Sequence, residues 1–278
     1  MKNTYKWMFA AILICGLIVS SCKKDPTPTP DPDPEPTTRT VLAGMEAIGV
    51  LMFDSVTFSY EYDTQYRLVR SKAFHTPSGF LIRDVSFTYS DGRLSFEGIS
   101  ADDNISFECT LDSEGRITHI DENTILSDNS TMIRHYDYTY DAEGRLVRTF
   151  EITEDGGEGF TQDYIWEDGD IRSITTPDSS IVTDFESSDA PAQALFNLIG
   201  YDNSFSELCA QGCFGTLPAH MPSKRTLTTT FPIPGMPPVV LINNYTYTLN
   251  AEGRLATFED INESNNSTTS YTLIWEER

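Results

Sequence analysis

Apolar and polar residues alternate in short runs along most of this chain. Phe58, Tyr60 and Tyr62 fall on one face of an extended segment, with Ser59 and Glu61 on the other. Tyr136, Tyr138 and Tyr140 oppose Asp137, Thr139 and Asp141, and Tyr245, Tyr247 and Leu249 repeat the pattern. A period of two with aromatic residues on one side predicts half-buried strands. Each run leads into a similar phrase: "YDTQYRL" at 62–68, "LDSEGRI" at 111–117, "YDAEGRL" at 140–146 and "LNAEGRL" at 249–255. Two shorter relatives, "SDGRL" at 90–94 and "EDGDI" at 167–171, fall between them.

The phrase reads as a bend. Asp112, Asp141 and Asn250 suit the first position of a type I turn, where the side chain accepts from the backbone. Gly115, Gly144 and Gly253 suit the left-handed position that completes a bulged hairpin, because glycine has no β-carbon to clash. Asp91–Gly92 and Asp168–Gly169 are two-residue hairpin signals that call for positive φ at both positions. Tyr66 stands where the first copy should have glycine, so that turn is either looser or carries a left-handed tyrosine. Arg67, Arg93, Arg116 and Arg145 are separated by 26, 23 and 29 residues, two strands per interval. The expectation is an all-β, mainly antiparallel meander of hairpins, curved or closed into a soluble barrel-like sheet. Tight turns should line one edge and looser connections, such as 75–79 and 121–130, the other. Arg93, Arg116, Arg145 and Arg254 should then form cross-strand ion pairs beside Asp112, Asp141 and Glu143.

The pattern changes between 176 and 244. Residues 187–200 read as a helix, with Asp189 as cap, Pro191 in the first turn, Gly200 as stop and an apolar stripe of Leu195, Phe196 and Ile199. A second short helix is predicted over 204–211. This insert near 187–211 would plug an open end of the sheet, or close over a pocket as a lid. "FPIPGMPP" at 231–238 is a stiff apolar loop, either a contact site or a segment packed on its own sheet.

The N-terminal region changes the picture of where the domain resides. Lys2 and Lys6 precede an apolar run from Trp7 to Val19, shorter than the ~20 residues that span a bilayer. "VSSC" follows, so residues 1–21 read as a secretory signal and Cys22 as the lipidated first residue, in the manner of a bacterial lipobox. Residues 22–39, with "KKDPTPTPDPDPEPTT", read as a disordered tether, and 40–278 as a single β-repeat domain. Lys23, Lys24 and Asp25 resemble the surface-export signal of Bacteroidota-type lipoproteins, although two lysines precede the acid. These features place the domain at the outer membrane, held by its lipid and facing the cell exterior, with the periplasmic face as the alternative.

Loss of Lys2 and Lys6 leaves 17 of the 19 basic residues against 42 acidic ones, a net charge of −25. Such a surface repels phosphate backbones, so nucleic acid is not an expected partner. Cys109, Cys209 and Cys213 remain, an odd number that argues against a disulfide framework. Cys209 and Cys213 could bond only if their helix ends at Gly212; otherwise they are a free buried pair.

"YDAEGRL" resembles the tyrosine–aspartate repeats of Rhs-type proteins. Together with "GTLPAHMPSK" at 215–224 and the final "YTLNAEGRL", most of 50–278 resembles a Bacteroidota lipoprotein family of unknown function. That resemblance implies a porin-like antiparallel β structure and carries over no catalytic residue. An inserted porin would need an apolar outward band, whereas one strand face here is Ser, Thr, Asp, Glu and Arg.

Catalytic and metal constellations are not evident. His75, His119, His135 and His220 are not at zinc-ligand spacing along the chain. His119 and His135, on predicted strands, read as surface or satisfied core residues. No G-x-S-x-G elbow occurs, and "DGGEG" at 155–159 lacks the strand-to-helix setting of a phosphate loop. Glu167, Asp168 and Asp170 lack calcium-loop spacing. "DSV" at 54–56 resembles a Bacteroidota O-glycosylation motif. The reading is a non-enzymatic binding or structural module with no cofactor and no catalytic residue, its partner a glycan or an envelope protein. A carrier of an apolar ligand and a cryptic glycoside hydrolase are the alternatives; the latter requires a carboxylate pair in an open cleft.

Overall fold

The computed structural model describes residues 39–50, 53–100, 102–153, 157–178, 180–192, 208 and 212–278. The signal, Cys22 and the tether up to residue 38 lie outside the described residues. So do Leu195, Phe196, Ile199, Cys209 and, apart from Leu208, the second predicted helix.

Sixteen strands follow one another. They are β1 (Thr40–Val50), β2 (Phe53–Tyr62), β3 (Leu68–His75), β4 (Phe80–Ser90), β5 (Arg93–Ser100), β6 (Asp103–Leu111), β7 (Ile117–Ile125) and β8 (Thr131–Tyr140). The second half comprises β9 (Leu146–Thr153), β10 (Glu158–Glu167), β11 (Asp170–Thr175), β12 (Ile181–Pro191), β13 (His220–Thr229), β14 (Val239–Leu249), β15 (Leu255–Asn262) and β16 (Ser267–Glu277). Each is antiparallel to its sequence neighbours, and β1 pairs with β16 from Thr40↔Glu277 to Ile48↔Ser270, which closes the barrel. Arg39 and Arg278 exchange backbone hydrogen bonds of 2.9 Å at the seam.

In an up-and-down barrel, successive connections must alternate between the two ends. All the glycine–arginine bends therefore gather at one rim, together with the β12–β13 connection. The looser links, including 75–79, 126–130 and 230–238, gather at the other.

The bends explain the register. Tyr140 pairs with Leu146 and Thr139 with Arg148, so Val147 is an extra residue on the returning strand. The same single-residue bulge leaves Val69, Thr118 and Ala256 unpaired after their turns. A bulge adds twist and shifts which residues face inward. Leu146 is thus followed by Thr149, not Arg148, on the buried face. At Asp91–Gly92 pairing continues unbroken from Ser90↔Arg93, and among the pair only Gly92 has positive φ, 67°. That turn differs from the expectation of positive φ at both positions, which Asp168 (51°) and Gly169 (87°) meet. Tyr66 adopts φ 61° inside an otherwise standard turn, so the open question at that copy resolves to a left-handed tyrosine. Its strain is offset where the Tyr66 hydroxyl donates to the Arg278 carbonyl (3.0 Å) and the Arg39 guanidinium lies over its ring.

The inward face forms one core running from Leu42 through Phe87 and Tyr164 to Phe258. Phe87, Phe96 and Phe107 are laddered across β4, β5 and β6, with Phe96 and Phe107 stacked at 4.4 Å. Tyr247, Phe258 and Tyr271 ladder likewise across β14–β16. Truncating one such buried ring costs about 3–5 kcal/mol. Polar side chains occupy the inward face toward the loose-loop end. There Glu122 accepts from the Tyr136 hydroxyl (2.9 Å) and the Thr124 hydroxyl (3.0 Å), and Arg134 meets Glu151 at 3.3 Å.

The predicted helix start fails. Ser187–Pro191 continue β12, and Asp189 lies in a strand rather than capping a helix. Pairing of Ser187 with Pro222 and of Pro191 with His220 captures the segment. Pro191 lies beyond a register shift in the ladder, a bulged position that tolerates its missing N–H. Leu249 also departs from its expected inward position and is 44 % exposed.

Candidate functional site

The rim of tight turns is a built structure rather than an open site. Asp141 Oδ1 accepts from the N–H groups of Glu143 (3.0 Å) and Arg145 (2.9 Å), while Oδ2 takes the Arg145 Nε–H at 2.7 Å. Asp112 does the same for Glu114 and Arg116, and Asp63 for Gln65 and Arg67. Asn250 serves the N–H groups of Glu252 and Arg254 but has no second carboxylate oxygen. Burial works against ionisation of Asp63, Asp112 and Asp141. The arginine N–H and guanidinium contacts outweigh it and hold each carboxyl below the usual range. The ion pairs of Arg116 and Arg145 are thus made within their own turns, not across strands as expected. The reason is that the turn folds the arginine back onto the aspartate four residues earlier.

Each arginine then reaches the next unit. Arg67 lies over the Tyr89 ring (4.6 Å), Arg116 over Tyr140 (4.8 Å) and Arg145 over Trp166 (5.7 Å), contacts of about 0.5–1 kcal/mol at exposed sites. Two of these aromatic residues also stitch backward: Tyr140 donates to the Ile117 carbonyl (2.6 Å) and Trp166 to Leu146 (2.8 Å), as Trp275 does to Leu255 (2.7 Å).

Residues 212–219, which lead into β13, cross this rim. Ile117 N–H donates to the Cys213 carbonyl (2.7 Å), Thr216 N–H to Gly144 (2.8 Å) and Ala219 N–H to Gly169 (2.9 Å). Leu208, Cys213 and Phe214 are buried in the core, and Phe214 packs on Tyr138 at 5.1 Å. These described residues cap the barrel from within, over the turns at 112–116, 141–145 and 168–169, and Leu249 lies beyond them. Burial pushes the Cys213 thiol up to about 12 and Cys109 also upward, so neither is a reactive thiolate.

The opposite end is different. Ile48, Phe80, Ile99, Ile125, Phe231 and Ile233, from five separate links, are each at least 39 % exposed. The loop 231–238 is therefore not packed onto its own sheet. On the outer wall beside this fringe, β3–β7 form a groove of about 550 Å³ lined by Leu81, Ile99 and Ile125 and by Asp84, Glu97, Asn104 and Asn123. Gly98 shapes its floor: a β-carbon there would lie 2.0 Å from the Asp84 carbonyl oxygen. Asp84 is gripped by Arg70 through both oxygens at 2.7 Å, which holds its carboxyl below the usual range against the cost of burial. A saturated, ionised carboxylate is a poor general acid.

The row of outward residues on β7 continues from the groove to a second feature. His119 and Asp121 stand opposite Asp137 and His135 on β8. His119 Nδ1 is 2.7 Å from Asp137, and Asp121 Oδ1 is 3.1 Å from His119 Nε2 and 2.5 Å from His135 Nδ1. Burial disfavours the imidazolium of His119, but its two carboxylate partners prevail and raise its pKa. Spacing along the chain missed this assembly. The signal was present as two H-x-D triplets, 119–121 and 135–137, on adjacent antiparallel strands. His75 bonds Ser78 (2.7 Å) and His220 bonds Asp170 (3.0 Å), both away from it.

Comparison with known proteins places this architecture. A porin-like protein from Bacteroides uniformis ATCC 8492 aligns with a TM-score of 0.59 and 15 % identity, over 84 % of this chain and 96 % of that one. A porin-like protein from Bacteroides vulgatus ATCC 8482 aligns with 0.57 and 12 %, over 86 % and 99 %. At these identities the likeness concerns the fold alone. No curated protein matches the chain. Residues 58–257 match the model of the domain of unknown function with porin-like fold, DUF4595, and the chain belongs to that family.

Proposed function

We propose that the chain is a non-enzymatic binding module, carried on a lipid anchor at the outer membrane, that presents the loose-loop end of its barrel to a glycan or an envelope protein. The observation that carries this reading is the asymmetry of the two ends. One is capped by Leu208, Cys213 and Phe214, while the other displays exposed Phe80, Ile99, Phe231 and Ile233 beside an open groove. The described chain enters the barrel at Arg39, on the capped rim and at the opposite end from the apolar fringe. Leu81, Ile99 and Ile125 meet in one groove wall, and a contiguous exposed apolar patch marks an interaction surface.

The outer wall supports a barrel that stands outside the bilayer. Ser86, Ser95, Glu97, Ser106, Glu108, Asp121 and Asp137 interrupt the apolar belt that a lipid-facing barrel requires. Filled inward positions such as Val85, Leu94, Phe96 and Ile120, each at most 1 % exposed, weigh against a carrier of apolar ligands. The test is a glycan array and an envelope pull-down with the purified domain, comparing the parent with an Ile99→Asp/Ile125→Asp variant. Capture lost in the variant supports the reading. Glycoside turnover by the domain, or capture unaffected by the variant, would overturn it.

A further inference from the structure

The outer wall of the β7–β8 hairpin carries the elements of a metal centre, and we propose that it binds a divalent transition cation of the zinc–copper class. Independently of the binding role above, the assignment rests on four side chains and their register. A ring nitrogen of His119, a ring nitrogen of His135 and a carboxylate oxygen of Asp121 lie within 4.8 Å of one another. Ligands held about 2.0–2.1 Å from a tetrahedral zinc ion sit roughly 3.3 Å apart. The two nitrogen-to-oxygen separations, 3.1 and 2.5 Å, are already at or inside that spacing. All three ligand atoms thus lie within 4.8 Å on neighbouring, paired strands, a distance that side-chain rotation can adjust.

Asp137 supplies the feature that separates a metal centre from a chance cluster. Its Oδ1 faces His119 Nδ1 at 2.7 Å. A carboxylate there takes the Nδ1–H and raises the basicity of the ring, so Nε2 becomes the metal-facing nitrogen once a cation displaces the proton it directs at Asp121. The near-parallel His119 and His135 rings, 19° apart, aim from the same side of the sheet. Register produces the arrangement: an antiparallel pair places each His of one H-x-D triplet opposite the Asp of the other. Two imidazoles and one carboxylate form a borderline-soft set that suits zinc, copper or nickel over magnesium or calcium. The three ligands share one face, so the outward positions stay open to water or to an oxygen donor of a partner. Asp121 is two residues along β7 from Asn123 in the groove wall, about 7 Å away.

The experiment is titration of the purified, metal-stripped chain with zinc chloride by calorimetry, and with copper(II) chloride by electron paramagnetic resonance. The expected result is one ion per chain, with hyperfine structure from two imidazole nitrogens. His119→Ala and His135→Ala should each weaken zinc binding at least tenfold. Asp137→Asn should weaken it roughly 10–100-fold, as loss of an outer carboxylate does elsewhere. His75→Ala/His220→Ala should leave it unchanged, and circular dichroism of each variant separates lost ligation from lost folding. Absence of saturable binding below about 1 mM, or binding that survives the His119→Ala/His135→Ala double substitution in a folded chain, would overturn the proposal.

Discussion

The two ends of the barrel were built from the same strands by different rules. At the tight-turn end, one heptamer solves the same problem several times. An aspartate satisfies two N–H groups, an arginine closes the aspartate and covers the next aromatic residue, and residues 212–219 cross over three of the turns. At the other end no motif recurs, connections vary in length and apolar side chains face water. A rim whose turn aspartates and arginines are paired with each other offers a ligand little. The irregular rim is where recognition chemistry can vary without disturbing the scaffold.

Matched substitutions at the two ends break or sharpen that contrast. The largest effect should come from Phe214→Ala, which empties a buried site at the capped rim and should cost about 3–5 kcal/mol. Phe231→Ala, at a position 39 % exposed, should stay within about 0.5 kcal/mol. Urea unfolding of both variants measures the difference; equal losses would dissolve the distinction between the rims.

Glycines of nearly identical conformation make the next pair. Gly215 (φ 83°) would place a β-carbon 2.2 Å from the Gly144 carbonyl oxygen, whereas Gly235 (φ 82°) has nothing within 4 Å. Gly235→Ala should lose about 1 kcal/mol to backbone strain alone. Gly215→Ala should lose about 3 kcal/mol or more, roughly 6–12 °C in melting temperature for a domain of this size. A smaller effect, about 1 kcal/mol, is expected for Asp141→Ala, which strips the acceptor from two turn N–H groups. Asp128→Ala in the loose loop, where Asp128 serves only Ser130, should lose less.

The most local effect is a titration. Folded-state pKa values of Asp112 and Asp141 are depressed, so the stability they contribute is complete above about pH 4. It is lost as pH falls through the depressed values. The Glu143 and Arg145 amide resonances should therefore shift in acid. Those of Glu252 and Arg254, held by the non-titrating Asn250, should not. Parallel movement of both sets would mean that the aspartates are not what holds the bends.

Sequence made the meander legible because two local signals agree. Aromatic alternation identifies the strands, and aspartate–glycine spacing identifies the bends. Tyr66 could be flagged as exceptional but not resolved, because only the finished seam supplies Arg278 and Arg39 as its partners. The helix expected from Asp189 failed for a complementary reason. Capping propensity is local, and pairing with β13, more than thirty residues on, overrode it. The β7–β8 quartet has no ligand spacing along the chain, because its members come from two paired strands. His119 and His135 become neighbours only once Asp121 is known to face His135. Leu81, Ile99 and Ile125 likewise meet as a groove wall only after five strands are in register.

The hydrogen bonds between β1 and β16 have one more consequence. A hairpin array of this kind, left open, would end in two rows of bare amides and carbonyls, each able to recruit a strand from a neighbouring molecule. Joining the first strand to the last withdraws both templates at once. A chain assembled from recurring hairpins can then reach high local concentration without polymerising through its own repeats.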